Sequence, residues 1–146
     1  VNDVAHAQEH SLEVQLPFLQ TVLNDFSLLP LCIGSVQPEA VAEVMECLWD
    51  DAHTLFVISS DLSHFHPYAE ARAIDQHSID TVLQMREPLT HEQACGATGI
   101  NALLAIARRR KLKLQLLDYR NSGDSAGDKE RVVGYASMAC FSPQQT

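Results

Sequence analysis

Apolar residues recur along this chain with helical spacing in some stretches and as strand-like runs in others. Four stretches show spacings of three and four that predict helices: residues 9–23, 38–48, 67–85 and 90–106. Pro17 interrupts the first of them, which predicts a kink or a restart of that helix. Thr90 and Gln93 form a capping pair that opens the last.

Four further stretches have the composition of strands: residues 26–33, 54–58, 112–119 and 131–141. The first two are continuous apolar runs, which are typical of strands covered on both faces. The last two alternate between apolar and polar residues and flank a polar loop. Since helices and strands alternate over most of the chain, the pattern predicts an α/β fold, a sheet with helices packed on its faces.

Composition narrows the class of protein. The chain has 146 residues, 46% hydrophobic and 20% charged, which predicts one globular domain over residues 1–146. No apolar run approaches the ~18 residues of a membrane span and no leader opens the chain, so we expect a cytoplasmic protein without a membrane partner. The net charge of −9 would repel a phosphate backbone, which argues against nucleic acid as a partner.

Cysteines and a run of cations add little to this picture. The four cysteines lie far apart without a CxxC pair, which argues against a disulfide scaffold and a zinc ribbon. Four cations occupy residues 108–111, at the end of a predicted helix. This position favours a role in complementing the helix dipole over a role in targeting.

Two short motifs resemble catalytic signatures without the context that those signatures need. Residues 123–127 (GDSAG) match the GxSxG elbow of α/β-hydrolases, yet no histidine follows Ser125 to act as the base. Gly123 and Gly127 are expected instead to shape a loop through positive φ. Residues 6–10 (HAQEH) match the inverted zincin pattern, but such a site needs a third ligand from an adjacent helix.

A stronger candidate is SSDLSHFH at residues 59–66, which follows the apolar run 54–58 directly. Ligands of α/β sheets bind beyond the carboxyl ends of parallel strands, so chemistry is expected here. Asp61 and His64 are three residues apart, and on a tight turn both side chains can face one cavity. Such a pair can tune the imidazole or bind iron or zinc. Alternatively, Asp61 caps the following helix and His64 is a satisfied polar residue.

Four blocks of sequence extend over almost the whole chain. They are EHSLEVQLPFL at 9–19, SSDLSHF at 59–65, ACG at 94–96, and YRNSGD at 119–124 with VVGYA at 132–136. In their order and spacing these blocks resemble the Memo family, including the bacterial and archaeal Memo-like proteins called AmmeMemoRadiSam system protein B. The chain resembles the C-terminal half of a family member and lacks the family's N-terminal half.

The resemblance implies a fold similar to the catalytic subunits of class III extradiol dioxygenases, which use non-haem iron, and a metal site for iron or copper. The family's site combines two upstream histidines, from PHAGY-like and GPSH-like segments, with residues of an SSDxxH and a CG motif. Matched position by position, these last residues are Asp61, His64 and Cys95, implied as catalytic residues and metal ligands. The two upstream histidines have no counterpart. Thr98-Gly99-Ile100 replaces the Pro-Ile that often follows the CG in the family, so Cys95 as a small buried residue at a helix start remains an alternative.

Two functions are therefore compared. The first is a Memo-like, dioxygenase-related oxidoreductase of unknown substrate, in which His64 is a metal ligand or an acid/base, Asp61 orients it and Cys95 is a soft ligand or a redox thiol. The second is a non-catalytic module that binds peptides or phosphopeptides in the same pocket, although the net charge of −9 opposes anionic partners. By resemblance alone, the partners are AMMECR-type and radical SAM proteins. Since two histidines are missing, we expect this chain to bind iron weakly.

Overall fold

The computed structural model describes residues 3–86, 88–125 and 127–142. These residues group into two compact units, residues 1–35 and residues 36–146. The first unit contains the short helix α1 (Asp3–His6) and the helix α2 (Ser11–Val22). Pro17 lies inside α2, and the helix does not restart there as the sequence suggested. The carbonyl of Pro17 accepts a hydrogen bond from the Thr21 hydroxyl at 2.7 Å.

The strand predicted at residues 26–33 is wrong. This segment of the first unit has no regular secondary structure, and Leu28, Leu29 and Leu31 are exposed. A continuous apolar run indicates a buried strand only where neighbouring strands and helices cover it. Among the described residues of this unit, no strand is present to pair with it.

The second unit contains most of the regular structure. Its elements are α3 (Pro38–Cys47), β1 (His64–His66), α4 (Tyr68–Gln84), α5 (Ala97–Arg110), β2 (Lys113–Asn121), a 3-10 turn (Ser122–Asp124) and β3 (Val132–Phe141). Three predicted helices and two predicted strands are thus confirmed, but α5 begins at Ala97 and not at Thr90. The Thr90 amide does donate to the Gln93 side chain at 2.9 Å, in a turn that precedes α5.

The sheet has three antiparallel strands in the order β1-β3-β2. A long hairpin pairs β2 with β3, from Lys113 opposite Phe141 to Asn121 opposite Gly134. On the other side of β3, β1 pairs His64 with Val133. The α/β class is confirmed, whereas the parallel strands assumed for the candidate site are not found among the described residues.

Helices α4 and α5 form the core with the sheet. One apolar cluster joins Ile79 and Val82 of α4 to Leu104 of α5, and apolar side chains of β2 and β3 pack against it. A second cluster lies between α3 and α5, with Met45 and Ile106 at its centre. None of the helices among the described residues is long and apolar enough to cross a membrane.

The segment 54–58 differs most from its prediction as a strand covered on both sides. It has no regular secondary structure, and no backbone hydrogen bond of residues 55–58 is found within the described part of the chain. Its side chains alternate: Phe56 and Ile58 pack on the α3–α5 cluster, while Leu55 is 69% exposed and Val57 47% exposed. The segment therefore has one covered face and no paired neighbour among the residues that the structure describes.

Candidate metal centre

Asp61 and His64 lie on a short connection between segment 54–58 and α4. Leu62 donates its amide to the Gly134 carbonyl at 2.8 Å, and Gly134 donates to the Ser63 carbonyl at 3.0 Å. These two bonds attach the connection to β3. They place the residues on either side, Asp61 and His64, at the same end of the sheet.

The side chains of Asp61 and His64 face each other. Asp61 Oδ2 lies 3.6 Å from His64 Nε2, and both side chains are partly exposed. This separation is too long for a hydrogen bond. Both atoms are thus close enough to share one ion and are not already bonded to each other. The alternative role of Asp61 as a helix cap is not observed, because no side chain caps α4 by a hydrogen bond.

Cys95 joins this pair from a second loop, just before α5. The Asp61 amide donates to Cys95 Sγ at 3.1 Å, and the Cys95 amide donates to the Asp61 carbonyl at 3.2 Å. Cys95 is exposed, so its interpretation as a small buried residue is wrong. Because these two hydrogen bonds join the Asp61 backbone to both the sulfur and the amide of Cys95, the sulfur is fixed beside Asp61.

Ser60 and Gly96 hold the two loops together. The Ser60 hydroxyl accepts from the Gly96 amide at 2.8 Å and donates to the Asp61 carbonyl at 2.8 Å. A Cβ on Gly96 would lie 2.7 Å from the Cβ of Ser60, a distance that real structures do not tolerate. Glycine after Cys95 is therefore a requirement of close approach, which explains both the second serine of the SSD motif and the glycine of the CG motif.

The donor set fits a transition metal. One carboxylate oxygen, one imidazole nitrogen and one thiol sulfur, from Asp61, His64 and Cys95, lie within 4.8 Å of one another. Donors that bind one ion at about 2.0–2.3 Å are roughly 3.3–3.8 Å apart in a tetrahedron, so a small closure of the side chains would complete the geometry. Three mixed donors suit iron, copper or zinc and leave coordination positions open. The predicted convergence of these residues is confirmed, although loop-to-loop hydrogen bonds achieve it and not the edge of a parallel sheet.

Two further residues of the site were missed by sequence reasoning. His91 Nδ1 donates to the Cys95 carbonyl at 3.2 Å, and His91 Nε2 shares a hydrogen bond with the Thr98 hydroxyl at 3.1 Å, so this side chain fixes the loop before α5. Tyr135 follows Gly134 on β3. Burial raises the pKa of Tyr135, and the negative charge of Asp61 raises it further. Tyr135 lies in the VVGYA block that supported the family resemblance, so the sequence pointed to it. Nothing in the local sequence identifies His91 as a residue of the site.

Neither of the two weaker motifs forms a site in the described residues. His6 ends α1 whereas His10 precedes α2, so the HxxEH residues do not share one helix, and His10 pairs with Glu13 at 3.3 Å. Ser125 is exposed, and its hydroxyl donates to the Ser122 carbonyl at 3.3 Å. No histidine among the described residues forms a hydrogen bond with this hydroxyl. Ala126 of the GDSAG string lies outside the described residues.

The expectations for the two glycines of the GDSAG loop and for the cations at the end of α5 are partly met. Gly127 has a positive φ of 81°, as predicted. Gly123 does not, and its need for glycine comes from the close approach of Tyr68 and Val132. The cations at 108–110 end α5 as expected. Arg109 pairs with Glu46 at 3.2 Å, and Arg110 lies 4.5 Å from the centre of the Trp49 ring.

Comparisons with known proteins identify relatives over nearly the whole chain. The family model described as Memo-like protein matches residues 1–139. A MEMO1 family protein of Methanosarcina barkeri is 36% identical over 94% of this chain and 57% of its own length. One from Archaeoglobus fulgidus is 36% identical with the same coverage. One from Desulfurococcus amylolyticus is 31% identical over 96% of this chain and 54% of its own length. The chain thus spans little more than half the length of these curated relatives.

Proposed function

Because this chain belongs to the Memo family, we propose that Asp61, His64 and Cys95 are its ligands to a mononuclear non-haem iron centre of a dioxygenase-like oxidoreductase. The observation that carries the proposal is the meeting of three different donor atoms within 4.8 Å, from two loops that hydrogen bonds hold together. Since the chain matches only part of its relatives' length, the activity of a complete protein is part of this proposal.

The chemistry of the site follows from its donors. Iron bound there would supply one-electron and dioxygen chemistry. His64 would hold the metal or exchange a proton with the substrate, and Asp61, whose Oδ2 lies 3.6 Å from His64 Nε2, would bind the same metal beside it. Burial and the negative charge of Asp61 raise the pKa of Tyr135, which favours the neutral form of this phenol. Asp61 and His64 are partly exposed and Cys95 is exposed, which leaves room for a small-molecule or peptide substrate.

The metal itself is tested by titration. We expect Fe(II), added anaerobically to the chain, to bind weakly, since three mixed donors are fewer than the resemblance implies for a complete site. The His64→Ala variant should abolish the binding that remains. The matched control is His53→Ala, because His53 pairs with Asp50 at 3.1 Å with the same spacing of three residues but has no cysteine beside it.

Two outcomes would contradict the proposal. Equal loss of binding in the His53 and His64 variants would show that any exposed carboxylate–imidazole pair accounts for the metal. If neither the chain nor the longer Methanosarcina barkeri relative bound iron, the proposed iron centre would be wrong. Copper titrated in parallel shows whether the same donors also bind copper, since imidazole and thiolate ligands suit both metals.

A peptide-binding module is the second candidate function. Such a module would bind a partner through the same exposed side chains without catalysing a reaction. Its partners would include the AMMECR-type and radical SAM proteins that the family resemblance suggests. The cations that could attract a phosphopeptide are partly engaged, since Arg109 and Arg110 contact Glu46 and Trp49. Metal stoichiometry separates the candidates: about one iron per complete relative supports the oxidoreductase.

A further inference from the structure

Asp75 is a buried carboxylate behind the candidate metal centre. It lies in the middle of α4 and has no exposed surface. No salt bridge to Asp75 is found among the described residues. Burial of a charged group costs free energy unless hydrogen bonds compensate it. Its partners must therefore explain why an acidic side chain occupies this position.

Both carboxylate oxygens of Asp75 accept hydrogen bonds. Oδ1 accepts from the Ser63 amide at 2.9 Å, and Oδ2 accepts from the Tyr119 hydroxyl at 2.8 Å. Burial and the Asp75 contact raise the pKa of Tyr119 well above its usual range, so this phenol stays a donor. The carboxylate thus connects α4 to β2 and to the backbone of Ser63, the residue directly before His64.

Gly134 of β3 completes this arrangement. A Cβ at Gly134 would lie 2.0 Å from Asp75 Oδ2, so only glycine leaves space for the carboxylate. The backbone of Gly134 also bonds to Leu62 and Ser63, as described above. The Leu62–Ser63 dipeptide is consequently held both by the backbone of β3 and by the Asp75 carboxylate.

We propose that Asp75 is a positioning residue that fixes the Asp61–His64 connection through the Ser63 amide and so sets the separation of the metal-binding donors. The functional part of this inference rests on the proposed metal centre. Asp75 touches none of the three donors, and its effect on them passes through the backbone. Such outer contacts are typically worth about 10–100-fold in metal affinity.

The first measurement needs no metal. Amide hydrogen exchange is followed residue by residue in the full chain and in Asp75→Ala. Loss of an acceptor that is charged and buried should raise exchange at Ser63, and at its neighbours 61–64, by about tenfold or more. The Asp75→Asn variant retains an oxygen acceptor and should keep most of the protection.

Two controls separate positioning from general stability. Ser78→Ala removes another wholly buried polar group from the same helix, whose hydroxyl donates to the Ile74 carbonyl at 3.0 Å. Tyr119→Phe removes the other partner of Asp75 and leaves the Ser63 bond in place. Both should lower thermal stability without a selective rise in exchange at residues 61–64.

The second measurement uses Co(II) as a spectroscopic probe of the donors. We expect Asp75→Ala to weaken Co(II) binding about 10–100-fold and to change the visible absorption bands, while Asp75→Asn and Ser78→Ala resemble the parent. Unchanged exchange at Ser63 in Asp75→Ala would overturn the inference. So would increased exchange with unaltered Co(II) bands, which would leave Asp75 only a structural role.

Failure of the two proposals can be told apart. If the parent chain gives no Co(II) spectrum, the metal centre proposed above fails, and the exchange data still decide whether Asp75 holds the Asp61–His64 connection. If Asp75→Ala does not fold, Asp75→Ser replaces it as the deciding variant, since its short side chain offers no carboxylate to the Ser63 amide. Unchanged Ser63 protection in that variant would then contradict the inference.

Discussion

Gly96 is the position at which the two loops of the candidate centre approach most closely. A side chain there would press on the Cβ of Ser60 at 2.7 Å and on the Ser59 carbonyl at 2.9 Å. We expect Gly96→Ala to destabilise the protein by about 1–3 kcal/mol, since the loops must shift to admit the methyl group. Urea unfolding measures this change.

The control for Gly96 is Gly34→Ala, because an added Cβ at Gly34 meets nothing within 4 Å. We expect that variant to stay within about 1 kcal/mol of the parent. Equal midpoints for the parent and Gly96→Ala would show that the loops separate easily. Metal affinity should fall only in the Gly96 variant.

Tyr119 makes stability sensitive to alkaline pH. Burial is the main cause that raises its pKa above the ordinary 10.0, followed by the hydrogen bond to Asp75. The unfolded chain therefore releases this proton at lower pH than the folded chain. The stabilising contribution is present in full below about pH 10 and is lost as the pH rises above that value.

We therefore expect the free energy of unfolding to fall as the pH rises from about 10 to about 12, and to fall less steeply in Tyr119→Phe. Denaturant titrations at several pH values in this range measure both slopes. Tyr135→Phe serves as a comparison, because the pKa of Tyr135 is also raised by burial. Identical slopes for the parent and Tyr119→Phe would contradict this account.

The sequence contained a signal for Asp75 that periodicity reasoning passed over. The predicted apolar stripe of α4 includes Ala71 and Ile79, and Asp75 lies between them at spacings of four. Its position on the apolar face of the helix therefore predicts that Asp75 is buried. A buried acidic residue in turn needs hydrogen-bond partners. Its partners Ser63 and Tyr119 are 12 and 44 residues away, and no local pattern identifies them.

At the scale of single elements, α2 contains an unusual proline. Pro17 has no amide hydrogen, so the carbonyl of Glu13 loses its partner one turn later. We expect Pro17→Ala to slow amide exchange in the centre of α2, because an interior proline costs a helix about 3 kcal/mol relative to alanine.

Val14→Ala is the matched control for Pro17, since Val14 is an exposed residue of the same helix. It changes helix propensity by only about half a kcal/mol and should leave exchange nearly unaltered. Exchange that is equally fast in the parent and in Pro17→Ala would show that neighbouring contacts already compensate for the proline.

Elements whose partners are close in sequence were predicted best. The hairpin of β2 and β3 needs only its own turn to pair, and the helices α3 and α4 show their buried faces in the spacing of their apolar residues. Segments 26–33 and 54–58 have the composition of buried strands, but a strand also requires a neighbour that composition does not reveal. Asp61, His64 and Cys95 were found through the family resemblance, because a DxxH spacing alone does not distinguish a ligand from a cap.

At the scale of the whole molecule, charge and exposed apolar surface oppose each other. The net charge of −9 repels copies of the chain from one another. The exposed side chains of Leu55 and Val57, on a backbone without paired neighbours in the described residues, attract other extended segments. The balance between the two depends on ionic strength.

The unpaired segment 54–58 thus makes solubility a function of salt. The screening length falls from about 30 Å at 0.01 M to about 8 Å at 0.15 M, so charge repulsion weakens while the apolar attraction persists. We expect sedimentation velocity to show association that increases with salt and protein concentration. Val57→Glu should suppress it, and Val44→Glu, which adds the same negative charge at an exposed position of helix α3, should suppress it less. Equal suppression by both variants would mean that net charge alone, and not the exposed face of segment 54–58, determines the protein concentration at which the chains begin to associate.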